Sequence, residues 1–263
     1  VEGDGEKMVK ALVTGMTGEV GQIVKEAFEC DGYSKSNGDD IWDTKKLIER
    51  MKGKDLVVHL AAYAHPYMKH ADGTEIPDEE YWHMNYEGTK QVVECMEKAG
   101  VKKIIFMSSG GVYGFSTGKP FVKYLPIDEQ HPINKENLTT YDKTKLACED
   151  YLTNLDGIKA YIFRLEAPGL IDLDKAVFPG HLFAHVMKDN LIELLRLASE
   201  YEGKSDVFNA GDAHTNKFCP DTIAFARENY PDAEIKLKSG DEPLISVNKA
   251  KEVLGYKGNV HSI

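Results

Sequence analysis

Val9-Lys-Ala-Leu-Val-Thr-Gly-Met-Thr-Gly-Glu-Val-Gly21 is the stretch on which the reading of this chain turns. Residues 9–14 form a short apolar run suited to a buried strand, and from Val20 to Cys30 apolar residues recur at helical spacing. Gly15, Gly18 and Gly21 punctuate the junction at three-residue intervals. Glycines there let the backbone turn sharply and let a pyrophosphate approach the N–H groups that open the helix. A glycine triplet alone is weak evidence, because 23 glycines make chance matches easy. Its place between strand and helix makes it a spaced form of the dinucleotide-binding turn. Gly15, Thr17, Gly18, Glu19 and Val20 are therefore the candidates to cradle a dinucleotide.

Outward from this turn, strands and helices alternate. Further apolar strands are expected over residues 55–60, 103–107 and 160–164, with helices over 85–99, ending at Gly100, and 141–155, ending near Gly157. Near-continuous apolar strands between helices predict an α/β fold with a doubly wound parallel sheet, covered on both faces. After Arg164 the pattern loosens: a helical run over 182–199, a strand over 206–209, a helix over 220–230, and a tail with a strand and a helix capped by Gly255. The expected division is a dinucleotide-binding domain over 1–164 and a small C-terminal substrate lobe over 165–263, some of whose segments return to the sheet.

The acidic residue that holds an adenosine ribose about 20 residues after the turn is not obvious. Residues 32–38 are polar and short for a second strand. Asp40 and Ile41 are the candidates to read an adenine, whereas Lys35 and Ser36 would suit a 2′-phosphate, so NAD and NADP both remain open.

Tyr141 and Lys145 lie four apart on an expected helix and so share a face. An ammonium beside a phenol favours the phenolate, which makes Tyr141 a candidate acid/base for a carbinol or carbonyl. Tyr86 and Lys90 have the same spacing, but no candidate hydroxyl accompanies them, and a structural role is expected. Tyr141 instead follows a long polar loop over 117–140, and Ser108-Ser109-Gly-Gly-Val-Tyr-Gly114 follows a strand. A serine at the carboxyl end of a parallel strand is well placed to bond a substrate oxygen, so Ser109 joins Tyr141 and Lys145 as the candidate catalytic set.

Bulk properties exclude other classes. A net charge of −11 with no basic run longer than a lysine pair argues against nucleic-acid and anionic-membrane partners. Cys30, Cys95, Cys148 and Cys219 are far apart and outside metal-ligand spacing, as expected of structural thiols in a reducing compartment with no bound metal. No apolar run reaches the roughly 20 residues of a membrane span. A polar, acidic start before Met8 suits a short extension and a cytoplasmic protein.

Together these pieces resemble the extended short-chain dehydrogenase/reductase family, the NAD-dependent sugar epimerase/dehydratase group. The landmarks run in order: the glycine turn, Val58-His-Leu-Ala-Ala62, Asn85-Tyr-Glu-Gly-Thr89, Ser108–Gly114, Leu125-Pro-Ile-Asp-Glu129, Tyr141-Asp-Lys-Thr-Lys145 and the tail 246–256. The resemblance implies an NAD cofactor, with NADP as the alternative, lined by Leu60, Ala61 and Ala62 and supported by Asn85. It also implies Ser109 and Tyr141 as catalytic residues, with Lys145 lowering the phenol pKa and holding the nicotinamide ribose. Homodimerisation through the helices at 85–99 and 141–155 follows from it as well.

Departures from the family's pattern bear on substrate. Gly110 and Gly111 replace the Asp–Glu pair of the sugar dehydratases, so elimination is not expected. The family's Arg-x-x-Asn reads Arg164-Leu-Glu-Ala167 here, without the amide. Few residues remain for the lobe and only four arginines occur, which predicts a small sugar-like substrate in place of a nucleotide diphosphate; Glu166, His181 and His185 are candidate contacts, with His181 and His185 able to share a helix face. The alternative to an enzyme is a cofactor-binding sensor or scaffold of the same fold, which the intact Ser109, Tyr141 and Lys145 disfavour.

Overall fold

A computed structural model of the chain describes residues 9–118, 120–165, 168–169, 182–215 and 217–258. Six parallel strands form one sheet in the order β2 (Glu29–Tyr33), β1 (Lys10–Thr14), β3 (Leu56–His59), β4 (Lys103–Ser109), β6 (Lys159–Leu165) and β9 (Asp206–Ala210). The strand order reverses at β1, whose neighbours β2 and β3 follow it in turn on opposite sides. Such a switch point leaves a crevice at the carboxyl ends of the strands. This is the doubly wound α/β architecture that the alternating pattern predicts.

Side-chain alternation explains why both faces are covered. Ala11 and Val13 join Ile105, Phe163 and Phe208 in one core, with Ile23 and Val24 of α1 (Glu19–Ala27) and Leu191 and Leu194 of the helix Lys188–Glu200. Leu12, Val57, Ile104 and Ile162 face the other way. They meet Leu47 and Met51 of α2 (Thr44–Met51), Val92 and Met96 of α4 (Gly88–Ala99), and Cys148 and Leu152 of α5 (Thr140–Thr153). A third core, including Val112, Phe115, Leu125, Ile127, Leu237 and Leu244, underlies the smaller region beyond the strand ends.

Several boundaries depart from the sequence reading. The first helix stops at Ala27 and β2 begins at Glu29, so Cys30 lies in a strand and residues 34–38 follow it. Periodicity misses β2 because the edge strand Glu-Cys-Asp-Gly-Tyr buries only Tyr33 fully. Asn85 lies in a π-helical turn, Trp82–Glu87, which follows a short helical turn, Asp78–Tyr81, and precedes α4. The run 182–199 divides into a short strand, Val186–Met187, and the helix Lys188–Glu200; Leu182 and Phe183 take left-handed backbone angles. His185 therefore stands on no helix. His181, Glu166 and Ala167 lie outside the described residues.

Among the described residues no helix is long and apolar enough to cross a membrane, and no group of three or more His, Cys, Asp or Glu is arranged to hold a metal.

Candidate active site

The glycine turn occupies the crevice where the strand order reverses. Gly15 has a φ of +71°, and a Cβ there would lie 2.7 Å from the Ala61 amide nitrogen, so only glycine lets β1 pass this close to the segment after β3. Gly21 is closed by the turn itself, since its Cβ would lie 2.2 Å from the Met16 carbonyl oxygen. Gly18 differs: a Cβ there would meet only the Gly15 carbonyl oxygen, at an ordinary 3.5 Å. Its missing side chain leaves space on the cleft side, next to Glu19 and Val20 at the start of α1. A cradle with open space at a helix N-terminus fits a dinucleotide pyrophosphate.

One cavity of about 530 Å³ brings Gly15, Gly18, Glu19, Val20, Leu60 and Ala62 together with Ser109, Tyr141 and Lys145. Thr17, Asp40, Ile41, Ala61 and Asn85 are not on its wall. Thr17 is exposed and accepts the Ser36 hydroxyl at 2.9 Å. Ser36 and Lys35 form a 3₁₀ turn immediately beyond β2. Asp40 is exposed and its carboxylate accepts the Trp42 N–H at 3.0 Å, whereas Asp39 is bound to Lys46 at 2.6 Å. Ile41 is buried in the core against Gly88.

A buried hydrogen-bond chain joins the two halves of the cavity. Thr14 Oγ1 accepts the N–H groups of Leu60 and Ala61, both at 3.2 Å, so its own proton goes to His59 Nδ1 at 2.6 Å. The neutral imidazole then donates from Nε2 to Thr89 Oγ1 at 3.1 Å, and Thr89 donates to the Asn85 carbonyl at 2.6 Å. Burial, with the Lys145 charge nearby, pushes the His59 pKa down to about 3, in keeping with a neutral ring. Asn85 holds the Tyr63 backbone through both its amide atoms and donates to Thr144 Oγ1 at 3.1 Å; Thr144 donates to the Tyr141 carbonyl at 2.7 Å. Asn85 thus ties the segment after β3 to α5 behind the cavity wall.

The helix that carries Tyr141 and Lys145 starts in a capping box. Thr139 Oγ1 accepts the Asp142 N–H, and the Asp142 carboxylate accepts the Thr139 N–H and hydroxyl at 3.1 and 2.7 Å. The Tyr141 ring is buried with Ile76 and Tyr81, and Tyr63 and Met68 pack against this group. Lys145 is almost fully buried, donates to the Met107 carbonyl at 2.7 Å, and stands 5.9 Å from the centre of the Tyr141 ring. Burial pushes its ammonium down to about 8; Cys148 and Glu149 act in the opposite sense. Ser109 ends β4, and its Oγ accepts the Gly111 N–H at 2.9 Å, so its hydroxyl proton is directed elsewhere.

Tyr86 and Lys90 have no such setting. Tyr86 lies edge-on to Trp82 and Tyr151, with Lys90 Nζ 5.4 Å from its ring centre. The sequence reading missed His65 and Met68, which line the cavity from the loop after β3. That loop has no periodicity to mark it. It is held by Tyr81, whose hydroxyl donates to the His65 carbonyl at 2.9 Å, and by Tyr67, whose hydroxyl donates to the Ser116 carbonyl.

The profile of the NAD dependent epimerase/dehydratase family matches residues 11–188, more than half of the chain. The chain belongs to this family. The glycine turn, strands β2, β3, β4 and β6 and the helix with Tyr141 and Lys145 lie inside the matched residues, and the edge strand β9 follows them. Similar curated relatives include N-acetyl-alpha-D-glucosaminyl-diphospho-ditrans,octacis-undecaprenol 4-epimerase of Escherichia coli O157:H7, 38% identical over 113 residues. That match covers 43% of this chain and 29% of the relative. A putative UDP-glucose 4-epimerase of Methanocaldococcus jannaschii is 36% identical over 129 residues, covering 48% and 38%. UDP-glucose 4-epimerase of Mus musculus is 29% identical over 178 residues, covering 56% and 49%. The matched stretches thus span less than half the length of each of these relatives.

Solved structures share the fold. A short-chain dehydrogenase/reductase superfamily protein from Agrobacterium tumefaciens, with bound NAD, superposes with a TM-score of 0.68 at 18% identity, over 96% of this chain and 93% of that one. UDP-glucose 4-epimerase from Brucella ovis in complex with NAD gives 0.67 at 19% identity, over 97% and 94%.

Proposed function

We propose that this chain is an NAD-dependent oxidoreductase or epimerase that acts on a carbinol carbon of a sugar-like substrate. The observation that carries this reading is the meeting of the glycine cradle with Ser109, Tyr141 and Lys145 around one cavity. NAD, when bound, supplies the hydride acceptor, with Gly15, Gly18, Glu19, Val20, Leu60 and Ala62 as its contacts in the cleft. Thr17, Ala61 and Asn85 would support it from behind, and Asp40 and Ile41 are proposed at its adenine end.

The chain's own chemistry is proton transfer and charge placement. Tyr141 takes the proton of the substrate hydroxyl as the carbinol is oxidised and returns it in the reverse direction. Ser109, whose oxygen already accepts the Gly111 N–H, keeps its proton and donates a hydrogen bond to the same substrate oxygen. Lys145 holds positive charge beside the phenol and so favours the phenolate. The buried side chains of Ile76 and Tyr81, with the partly buried Met68 against them, shield the Tyr141 ring from water on that side.

The substrate reading is a free monosaccharide or similar polyol. Lys188, a candidate diphosphate donor, pairs at 3.1 Å with Glu26 on α1, and Arg196 bonds the carbonyls of Glu26 and Ala27. Both cations are committed to the outside of the sheet. The names of the Methanocaldococcus jannaschii and Mus musculus relatives favour a second reading, 4-epimerisation of a nucleotide-sugar. Following NADH absorbance with aldoses and uronates, and product analysis with UDP-sugars, separates the two. Oxidation of a free sugar supports the first; an epimerised UDP-sugar establishes the second. Failure of all substrates together with measured NAD(H) binding would leave the sensor reading. Self-association through α4 and α5, where Trp82 is exposed beside Tyr86, is part of the proposal and is checked by sedimentation.

A further inference from the structure

One turn after Lys145, the same helix carries Glu149, 3% exposed in the wall between α5 and the sheet. Its carboxylate accepts the Ser108 hydroxyl at 2.5 Å from β4 and three contacts from Arg164 on β6. These are Nε to Oε1 at 3.1 Å, Nε to Oε2 at 3.2 Å and Nη2 to Oε2 at 2.7 Å. Arg164 is itself 7% exposed, and its Nη1 donates to the Tyr113 hydroxyl at 2.8 Å. Tyr113 passes the bond on to Asn209 Oδ1 on β9, also at 2.8 Å. Every polar atom of this pair that the fold buries has a partner, which is what makes a buried ion pair tolerable.

The pair sits where it can act on the cleft. Ser108 and Met107 are adjacent on β4; the first bonds Glu149 and the second accepts the Lys145 ammonium. Glu149 and Lys145 are four apart on α5 and share a face. Whatever fixes Glu149 against β4 and β6 therefore fixes the turn of helix that presents Lys145.

We propose that Glu149 and Arg164 are a positioning pair: they clamp α5 to β4 and β6 and set the charge of Lys145, while neither lines the cavity shared by Ser109, Tyr141 and Lys145. This inference rests on the reading of Lys145 as part of the active site. The groups facing Lys145 are few. Among the described residues, its own helix contributes Tyr141, Cys148 and Glu149, β4 the Met107 carbonyl and the Phe106 ring, and β3 the neutral His59, while Arg164 on β6 acts through Glu149. Of these, Cys148 and Glu149 both act against the effect of burial on Lys145, and Glu149 is the carboxylate of the two. Arg164 keeps Glu149 ionised and in place.

The test reads Lys145 directly, without substrate or cofactor. Brief labelling of the native full-length protein with acetic anhydride across pH 6–11, followed by peptide mass spectrometry, gives the midpoint at which Lys145 becomes nucleophilic. For the wild type the midpoint is expected near 8. Glu149→Gln should move it down by about one pH unit, the effect of removing a nearby opposite charge. Arg164→Lys, which keeps a cation beside Glu149, should leave it in place. If Glu149→Gln does not fold because it strands a buried guanidinium, the double variant Glu149→Gln/Arg164→Met removes both charges and should also lower the midpoint. A midpoint unchanged in the neutral variants, or raised toward the ordinary lysine value of about 10.4, would overturn the proposal. The first would mean no charge coupling, and the second a helix merely loosened into water. A wild-type chain that binds no NAD(H) would sink the proposed function and leave this result standing.

Discussion

The Asp142 carboxylate occupies the space that a side chain at Gly111 would need: a Cβ on Gly111 would lie 2.1 Å from Asp142 Oδ1 and 2.6 Å from Ser116 Oγ. The turn after Ser109 and the first turn of α5 are thereby fitted to one another. The same fit gives a physical reason why this chain has glycine where the resemblance places an acidic pair in sugar dehydratases. Gly111→Ala should push Asp142 out of its capping box. An overpacked buried site typically costs about 1–3 kcal/mol, which chemical denaturation would register. Asp142→Ala/Gly111→Ala should recover part of that loss; no recovery would mean that the clash lies elsewhere.

Tyr141→Phe keeps the ring in its apolar seat with Ile76 and Tyr81 and removes only the hydroxyl. Thermal stability and NADH affinity should stay near those of the parent, with turnover reduced about 10²–10⁴-fold. Tyr86→Phe, which trims a ring packed on Trp82 and Tyr151, should retain turnover. The reverse pattern would mean that the wrong tyrosine has been assigned.

Gly18→Val fills the one open glycine position of the cradle without a backbone clash. The fold should survive while NAD(H) binding, measured by calorimetry, falls strongly. Asp40→Ala should weaken binding only moderately, because the residue is exposed and removes no phosphate contact. Comparing NADH with NADPH in the same titrations tests Lys35 and Ser36, which stand immediately beyond β2 where no carboxylate ends the strand.

His59 should make the fold acid-sensitive. Its folded pKa is depressed to about 3, below the ordinary 6.5. Between these values the unfolded chain binds a proton that the folded chain refuses, so stability falls as pH falls, by about 1.4 kcal/mol per unit. Other groups titrate in the same window, so the comparison is between parent and His59→Gln. Denaturant unfolding at pH 7, 6 and 5 should show a shallower decline for the variant; parallel declines would show that His59 is not the group responsible.

Local pattern alone determined a good deal about this protein. The parallel α/β sheet, the strand–glycine–helix unit and the pairing of Tyr141 with Lys145 were legible because they rest on short-range periodicity. A strand with both faces buried is apolar throughout, and residues four apart on a helix share a side wherever that helix lies. The edge strand β2 was not legible, since a strand with one solvated face and a glycine in it has no apolar run. Nor was the π-helical turn at Asn85, which obeys helical periodicity until its hydrogen bonds are traced.

Tertiary structure alone decided what stands opposite what. Thr14, His59, Thr89, Asn85 and Thr144 form one hydrogen-bond chain although 130 positions separate its ends, and Glu149 meets Arg164 only because α5 lies across β4 and β6. His65 and Met68 reach the cavity because Tyr81 and Tyr67 tie their loop down. Sequence spacing reports neighbours along an element; the burial of a polar group forces a choice of partner across elements, and only the packed chain makes that choice.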